Sequence, residues 1–128
     1  MRYLHAEEIL AIHDRLVEET GGLLGIRDVN LLYSIAERPK TGMMNREFFP
    51  DLFTKAAVYL EALATFHVFS DGNKRTAFLT VGAFLGLNGH DLSVSDVVAY
   101  RMVMAVAQKK KSLDQIAVWL KKHSHRYF

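Results

Sequence analysis

The sequence contains no cysteine, which excludes a disulfide framework, a thiolate nucleophile and any zinc site of the cysteine type. Proline occurs twice, at Pro39 and Pro50. No Gly-, Ser- or Pro-rich linker, internal repeat or low-complexity tract divides the chain, so a single domain over residues 1–128 is expected. No apolar run approaches a bilayer span, and the opening MRYLHAEEIL lacks the long apolar core of a signal peptide, which makes a cytoplasmic protein with no membrane partner the expectation. Excess charge is also scarce. A formal +2 and a pI near 8.9 fall far short of a protein whose affinity rests on many phosphate contacts, so direct nucleic-acid binding is not expected.

What remains is the composition of a folded globule, half hydrophobic and 23% charged, with apolar residues at helical spacing nearly everywhere. Ile9, Ile12 and Leu16, with Leu10 and Val17, form a stripe that predicts a helix over 6–19, stopped by Gly21-Gly22. Asp28 suits the cap of a short helix carrying Leu31, Leu32 and Ile35, closed by Pro39. Residues 38–50 are the least periodic and read as a flap-like loop or small hairpin. Its Met43, Met44, Phe48 and Phe49 suit either an adaptable contact surface or a satellite core.

A helix carrying Leu52, Ala56, Tyr59, Leu60 and Leu63 follows, and then TAFLTVGAFLGLNG, apolar almost all round, predicts a buried central helix over 73–88. Capping-box spacings at Ser93/Asp96 and Ser112/Gln115 open two more helices, with Val98, Met102, Ala105, Leu113, Ile116, Trp119 and Leu120 turned inward. The lysines of QKKK fall between them as a solvated turn, and KKHSHRYF reads as a frayed end. His5 and His13 read as structural or exposed. The fold class expected is all-α, with about six helices packed around the 73–88 helix.

One stretch carries chemistry, FHVFSDGNKRTAF at 66–78. If the central helix starts near Gly72, its first backbone N–H groups lack intrahelical partners and present the positive end of the helix dipole. A phosphate fits there, with Gly72 allowing close approach and Lys74 and Arg75 adding full charges. Asp71 is placed to hold magnesium, which favours one or two carboxylates supplemented by phosphates and water. The alternative role of Asp71 is a helix cap. His67 suits a general base, histidine being the residue type whose ordinary range lies nearest neutrality, while Phe69 points inward to fix the loop. The Walker spacing is absent.

HVFSDGNKR resembles the signature of the Fic/Doc superfamily, and in detail its Doc (death-on-curing) branch, H-x-F-x-[DN]-[AG]-N-K-R, agreeing at every specified position. The resemblance implies a compact all-α toxin that transfers part of a nucleotide onto a protein hydroxyl. It assigns His67 as general base, Asp71 as magnesium ligand, Gly72, Asn73, Lys74 and Arg75 as the nucleotide phosphate site, and Phe69 as structural anchor. Compared with the Fic pattern H-P-F-x-[DE]-G-N-G-R-x-x-R, Val68 replaces proline, Lys74 the second glycine and Phe78 the last arginine.

Those departures imply Mg-ATP bound for transfer of the γ-phosphoryl group to a threonine of elongation factor Tu in a bacterial cytoplasm. The resemblance also implies a co-encoded Phd-like antitoxin that folds on binding. The alternatives are Fic-type transfer of AMP and a non-catalytic basic binding module.

Overall fold

A computed structural model describes residues 1–127. Six α-helices and two small two-stranded antiparallel sheets, one a hairpin and the other joined across the last two helices, are found among the described residues. Helix α1, Ala6–Thr20, turns Ile9, His13, Leu16 and Val17 inward and ends where the Gly21 N–H donates to the Val17 carbonyl, at 2.8 Å. Helix α2, Val29–Glu37, is capped by Asp28, whose carboxylate accepts from the Leu31 N–H at 3.0 Å. Pro39 does not stop the chain at once. It sits inside a 3₁₀ turn, Arg38–Lys40, that prolongs α2.

Helix α3, Leu52–Thr65, begins at Asp51, which accepts from the N–H groups of Phe53 and Thr54. Helix α4, Asn73–Leu87, follows the motif and lies within a residue of its expected bounds. The two share the centre of the molecule, but α3 is the more enclosed. Its Ala56, Ala57, Ala62 and Ala64 are buried on different sides of the helix, so neighbours approach it from all round, whereas α4 leaves Leu79 44% exposed. The centre of the core therefore lies between α3 and α4, with Tyr59 and Phe84 in aromatic contact at 5.0 Å.

Helices α5, Asp96–Ala107, and α6, Leu113–Lys122, close the bundle. Ser112 and Gln115 form the expected capping box. Ser93 does not cap α5. Its N–H donates to the His123 carbonyl, and Ser95 takes the cap, accepting from Val98. With the start displaced, Val98 faces outward at 38% exposure, and the inner face is Ala99, Met102, Val103 and Val106. The tail is not frayed through residue 126. Strand β4, Ser124–Arg126, pairs with β3, His90–Leu92, because the chain reverses at Gly89 with φ +87° and leaves β3 an open edge.

Both described chain ends converge on the exit of α4. The Asn88 side chain accepts from the Arg2 N–H and donates to the Arg2 carbonyl, and the Tyr127 N–H donates to the Gly89 carbonyl. Tyr59 pins the N-terminal segment further, its hydroxyl accepting from the Leu4 N–H and donating to the Leu4 carbonyl. Burial pushes the Tyr59 phenol up to about 12. A folded-state value above the unfolded one stabilises fully below about pH 10 and is lost as pH rises through 12, a swing of about 2 kcal/mol. Chemical denaturation of wild type and Tyr59→Phe from pH 9 to 12 should show that swing only in wild type.

The 38–50 excursion is a hairpin of β1, Gly42–Met43, and β2, Arg46–Glu47. Met44 and Asn45 have φ of 52° and 63°, as a two-residue type I′ turn requires. Met43, Met44 and Phe48 are exposed at 62%, 89% and 56%, so these three face outward rather than forming a satellite core, while Phe49 is half-buried with its ring edge-on to Phe48.

Its root is held by Lys55, 1% exposed on α3. The ammonium donates to the Pro39 carbonyl at 2.9 Å and to Glu47 Oε1 at 2.7 Å. Glu47→Ala leaves that buried charge underpaired and should cost about 1–3 kcal/mol. Lys55→Met, which removes the buried charge and leaves a half-exposed carboxylate to water, should cost under about 1 kcal/mol. Denaturant melts of both variants check the asymmetry.

Candidate active site

The motif loop between α3 and α4 is fixed from three sides around Phe69, which is fully buried. On one side residues 25–27 run antiparallel to it. The Arg27 N–H donates to the Val68 carbonyl at 2.7 Å, the Ser70 N–H to the Gly25 carbonyl at 3.1 Å, and Ile26 bridges Phe69. On the second side the Asn73 amide clasps the Phe69 backbone, accepting from its N–H and donating to its carbonyl, both at 2.9 Å. On the third, the ring of His13 from α1 stacks on Phe69 at 3.8 Å and 8°. Phe69 thus lies where the three segments meet. Its truncation would open the seam where three segments meet.

This framing sets the conformation of the polar residues on either side. His67 follows the end of α3 with φ 52°, a left-handed conformation uncommon for a residue with a Cβ, and its side chain is exposed. No hydrogen bond engages its ring among the described residues. Strain of this kind is maintained only where the surroundings over-determine it.

Asp71 is not the cap of α4. Its Oδ1 accepts from the Gly72 N–H at 2.9 Å and its Oδ2 from the Leu23 N–H at 3.3 Å. Gly72 is the N-cap residue, with φ 76° and ψ 16°, and no side chain caps the helix. The Gly72 carbonyl accepts the Thr76 N–H, so the N–H groups of Asn73, Lys74 and Arg75 are those left over at the helix start.

Lys74 is half-buried and Arg75 exposed, and neither has an acidic partner among the described residues. Asp71, Gly72 and Arg75 line one cleft of about 130 Å³ together with the C-terminal turn of α1, at Leu16, Val17, Thr20 and Gly21. His67, Asn73 and Lys74 lie outside that lining. Asn73, expected among the phosphate ligands, has its amide committed to Phe69, leaving its backbone N–H for a ligand.

No group of three or more metal-ligating side chains occurs among the described residues. The donor set at Asp71 is one exposed carboxylate whose two oxygens each accept a single N–H, leaving outward lone pairs. That suits magnesium, which completes its shell with phosphate and water, and does not suit a closed all-protein metal cage.

The Fic/DOC family profile matches residues 3–85, which contain the whole of this site. This chain belongs to the Fic/Doc family. It is 34% identical over 122 residues to the protein named "Protein kinase doc" of Escherichia phage P1, covering 95% of each chain. It is 36% identical over 120 residues to "Toxin Doc" of Mycolicibacterium smegmatis, covering 92% of this chain and 90% of that one. The Fic/Doc profile ends inside α4, so α5, α6 and the β3–β4 pair lie beyond it, while the similarity to the two toxins takes in α5 and at least part of α6.

The sequence reading missed two contributors to this Fic/Doc site. Gly22, read as part of a helix stop, lies against the carboxylate, and a Cβ built there would be 2.7 Å from Asp71 Oδ2. His13 is fully buried beneath the motif. Only the double glycine carried a signal: a second one is superfluous to end a helix.

Proposed function

We propose that this chain is a Doc-type toxin, a Fic/Doc domain over residues 1–128 that works in the bacterial cytoplasm and transfers the γ-phosphoryl group of Mg-ATP to a threonine hydroxyl. By resemblance the threonine belongs to elongation factor Tu, and the consequence is arrested translation. The observation that carries the reading is the start of α4. An uncapped helix N-terminus, two cationic side chains free of acidic partners and an outward-facing carboxylate meet at one turn.

In this mechanism the leftover N–H groups of α4, with Lys74 and Arg75, bind and orient the phosphates. Asp71 would hold magnesium, which supplies charge neutralisation on the phosphate oxygens when bound. His67 takes the proton from the threonine hydroxyl as its oxygen attacks the γ-phosphorus. The bond from that phosphorus to the β–γ bridging oxygen breaks and ADP leaves. The strained, solvent-facing position of His67 keeps the imidazole free of competing partners. The exposed flap, rooted by Lys55, offers an apolar surface for a target peptide or for the Phd-like antitoxin.

Phe78 favours γ-phosphoryl over AMP transfer. It packs partly buried against the core, where an arginine would serve the phosphates in a Fic-type enzyme. Incubating the chain and elongation factor Tu with ATP labelled in the α or the γ position tests this. Label transferred only from the γ position is expected, and transfer from the α position would overturn the kinase reading in favour of AMP transfer. No transfer from either position, with toxicity intact in cells carrying His67→Ala, would favour a binding module.

Gly22 gives a further check. Gly22→Ala should lower transfer by up to about 10²-fold, the effect of displacing a reacting or ligating group by about an ångström. Gly21→Ala is the control. It also lines the cleft and carries a comparable positive φ, +84° against +115°, but a Cβ there meets nothing within 4 Å, so it should share the stability loss and lose far less transfer than Gly22→Ala. Rates and melting temperatures of the two variants decide.

A further inference from the structure

The turn at Asp71 is gripped twice. Its carboxylate is held by the N–H groups of Leu23 and Gly72, and its carbonyl is held from below by a side chain 58 positions away in sequence, His13. His13 Nε2 lies 2.8 Å from that carbonyl oxygen. A carbonyl only accepts, so Nε2 is the donor. The other ring nitrogen, Nδ1, lies 3.0 Å from Asp14 Oδ1 on the same helix. The imidazole is 0% exposed, stacks flat on Phe69, and lies under the N-cap of α4, where a Cβ on Gly72 would be 3.8 Å from Nε2.

A core position needing only volume is filled at lower cost by an apolar ring, because a buried imidazole has to be compensated by hydrogen bonds. Here one of those bonds ends on the backbone of the residue whose carboxylate faces the cleft. Rotation of the 71–72 peptide would swing that carboxylate away from the helix N-terminus. The Nε2 contact opposes that rotation, and the stack on Phe69 ties it to the same anchor that positions His67.

We propose that His13 is a positioning residue for the Asp71 site. Acting through the Asp71 carbonyl, it fixes the direction of the carboxylate that takes the metal. The inference rests on the reading of Asp71 as a metal ligand and extends it to a second layer on α1, of the kind that tunes metal affinity about 10–100-fold.

The test is Mn²⁺ binding to the full chain in the presence of ADP, followed by paramagnetic resonance, with melting temperatures alongside. His13→Phe keeps the volume and the stack but removes the donor, and should weaken Mn²⁺ binding by about tenfold or more. His13→Gln places an amide N–H near the Nε2 position and His13→Asn places one only near Nδ1. Gln should therefore bind Mn²⁺ several-fold more tightly than Asn, whatever their melting temperatures. Wild-type affinity in His13→Phe, or equal affinities in Gln and Asn, would overturn the positioning role alone. Should His13→Phe not fold, the Gln and Asn pair decides by itself. A wild type that binds no more Mn²⁺ than Asp71→Asn would overturn the metal assignment, and this inference with it.

Discussion

Replacing His67 with alanine is expected to lower phosphoryl transfer by roughly 10²–10⁴-fold, the usual worth of a positioned base. The melting temperature should scarcely move. The imidazole is exposed and unbonded, and alanine inherits the same left-handed backbone at φ 52°. A second substitution separates chemistry from architecture. His67→Gly relieves a conformation that costs a residue with a Cβ about 1–2 kcal/mol, a gain partly offset by the entropy of a new glycine. The glycine variant should therefore be as inactive as alanine and at least as stable. Such a pair is the signature of strain kept for function. Transfer rates and melts of both variants on matched preparations are the measurement. Wild-type turnover in either would remove His67 from the mechanism, and a marked loss of stability in the glycine variant would show that the left-handed backbone is not strained.

Asp71→Asn is expected to abolish most transfer, by about 10²–10⁴-fold at saturating magnesium and ATP, since an amide cannot replace the charge on which several kcal/mol of electrostatic stabilisation depend. Its effect on stability is bounded by the hydrogen bonds. Asp71 caps no helix, so no cap is lost. One amide oxygen can keep either the Gly72 or the Leu23 N–H, while the NH₂ group turns a donor toward the other. Breaking one such contact at an exposed site should cost about 0.5–1.5 kcal/mol. Initial rates across a magnesium titration, with melts at each point, test both parts. Retained transfer would end the metal assignment. A stability loss well above one hydrogen bond would make Asp71 chiefly a structural tie between the 21–25 segment and the motif.

The helices were legible because burial here is periodic. Asp28, Ser112 and the stripe from Ile9 to Val17 mark boundaries that the packed molecule keeps. The Ser93–Ser95 region shows where local signals fall short. Either serine can open a helix, and the choice is made by the chain's return after α6, whose His123 carbonyl takes the Ser93 N–H. Strand β4 was illegible for the same reason, since three polar residues become a strand only when β3 offers an edge. In the candidate site, the motif supplied His67, Asp71 and the turn into α4 as a linear pattern. His13 gave no such sign. Within α1 it occupies an ordinary inward position, and its partners, Phe69 and the Asp71 carbonyl, are assigned only by the packing of α1 on α4.

The junction at Asn88 and Gly89 bears on how the protein can be handled. Residues 2 and 127 are both hydrogen-bonded to that junction. Helix α4 has 15 residues, so the turn at Gly72 lies about 22 Å away at 1.5 Å per residue. A tether to a surface or a fluorophore attached at residue 2 or residue 127 would therefore stand at the pole opposite the proposed site. Two dyes, one at each end, would start close together and separate when either end peels from α4. Their energy transfer would follow loosening of that pole independently of events at Asp71.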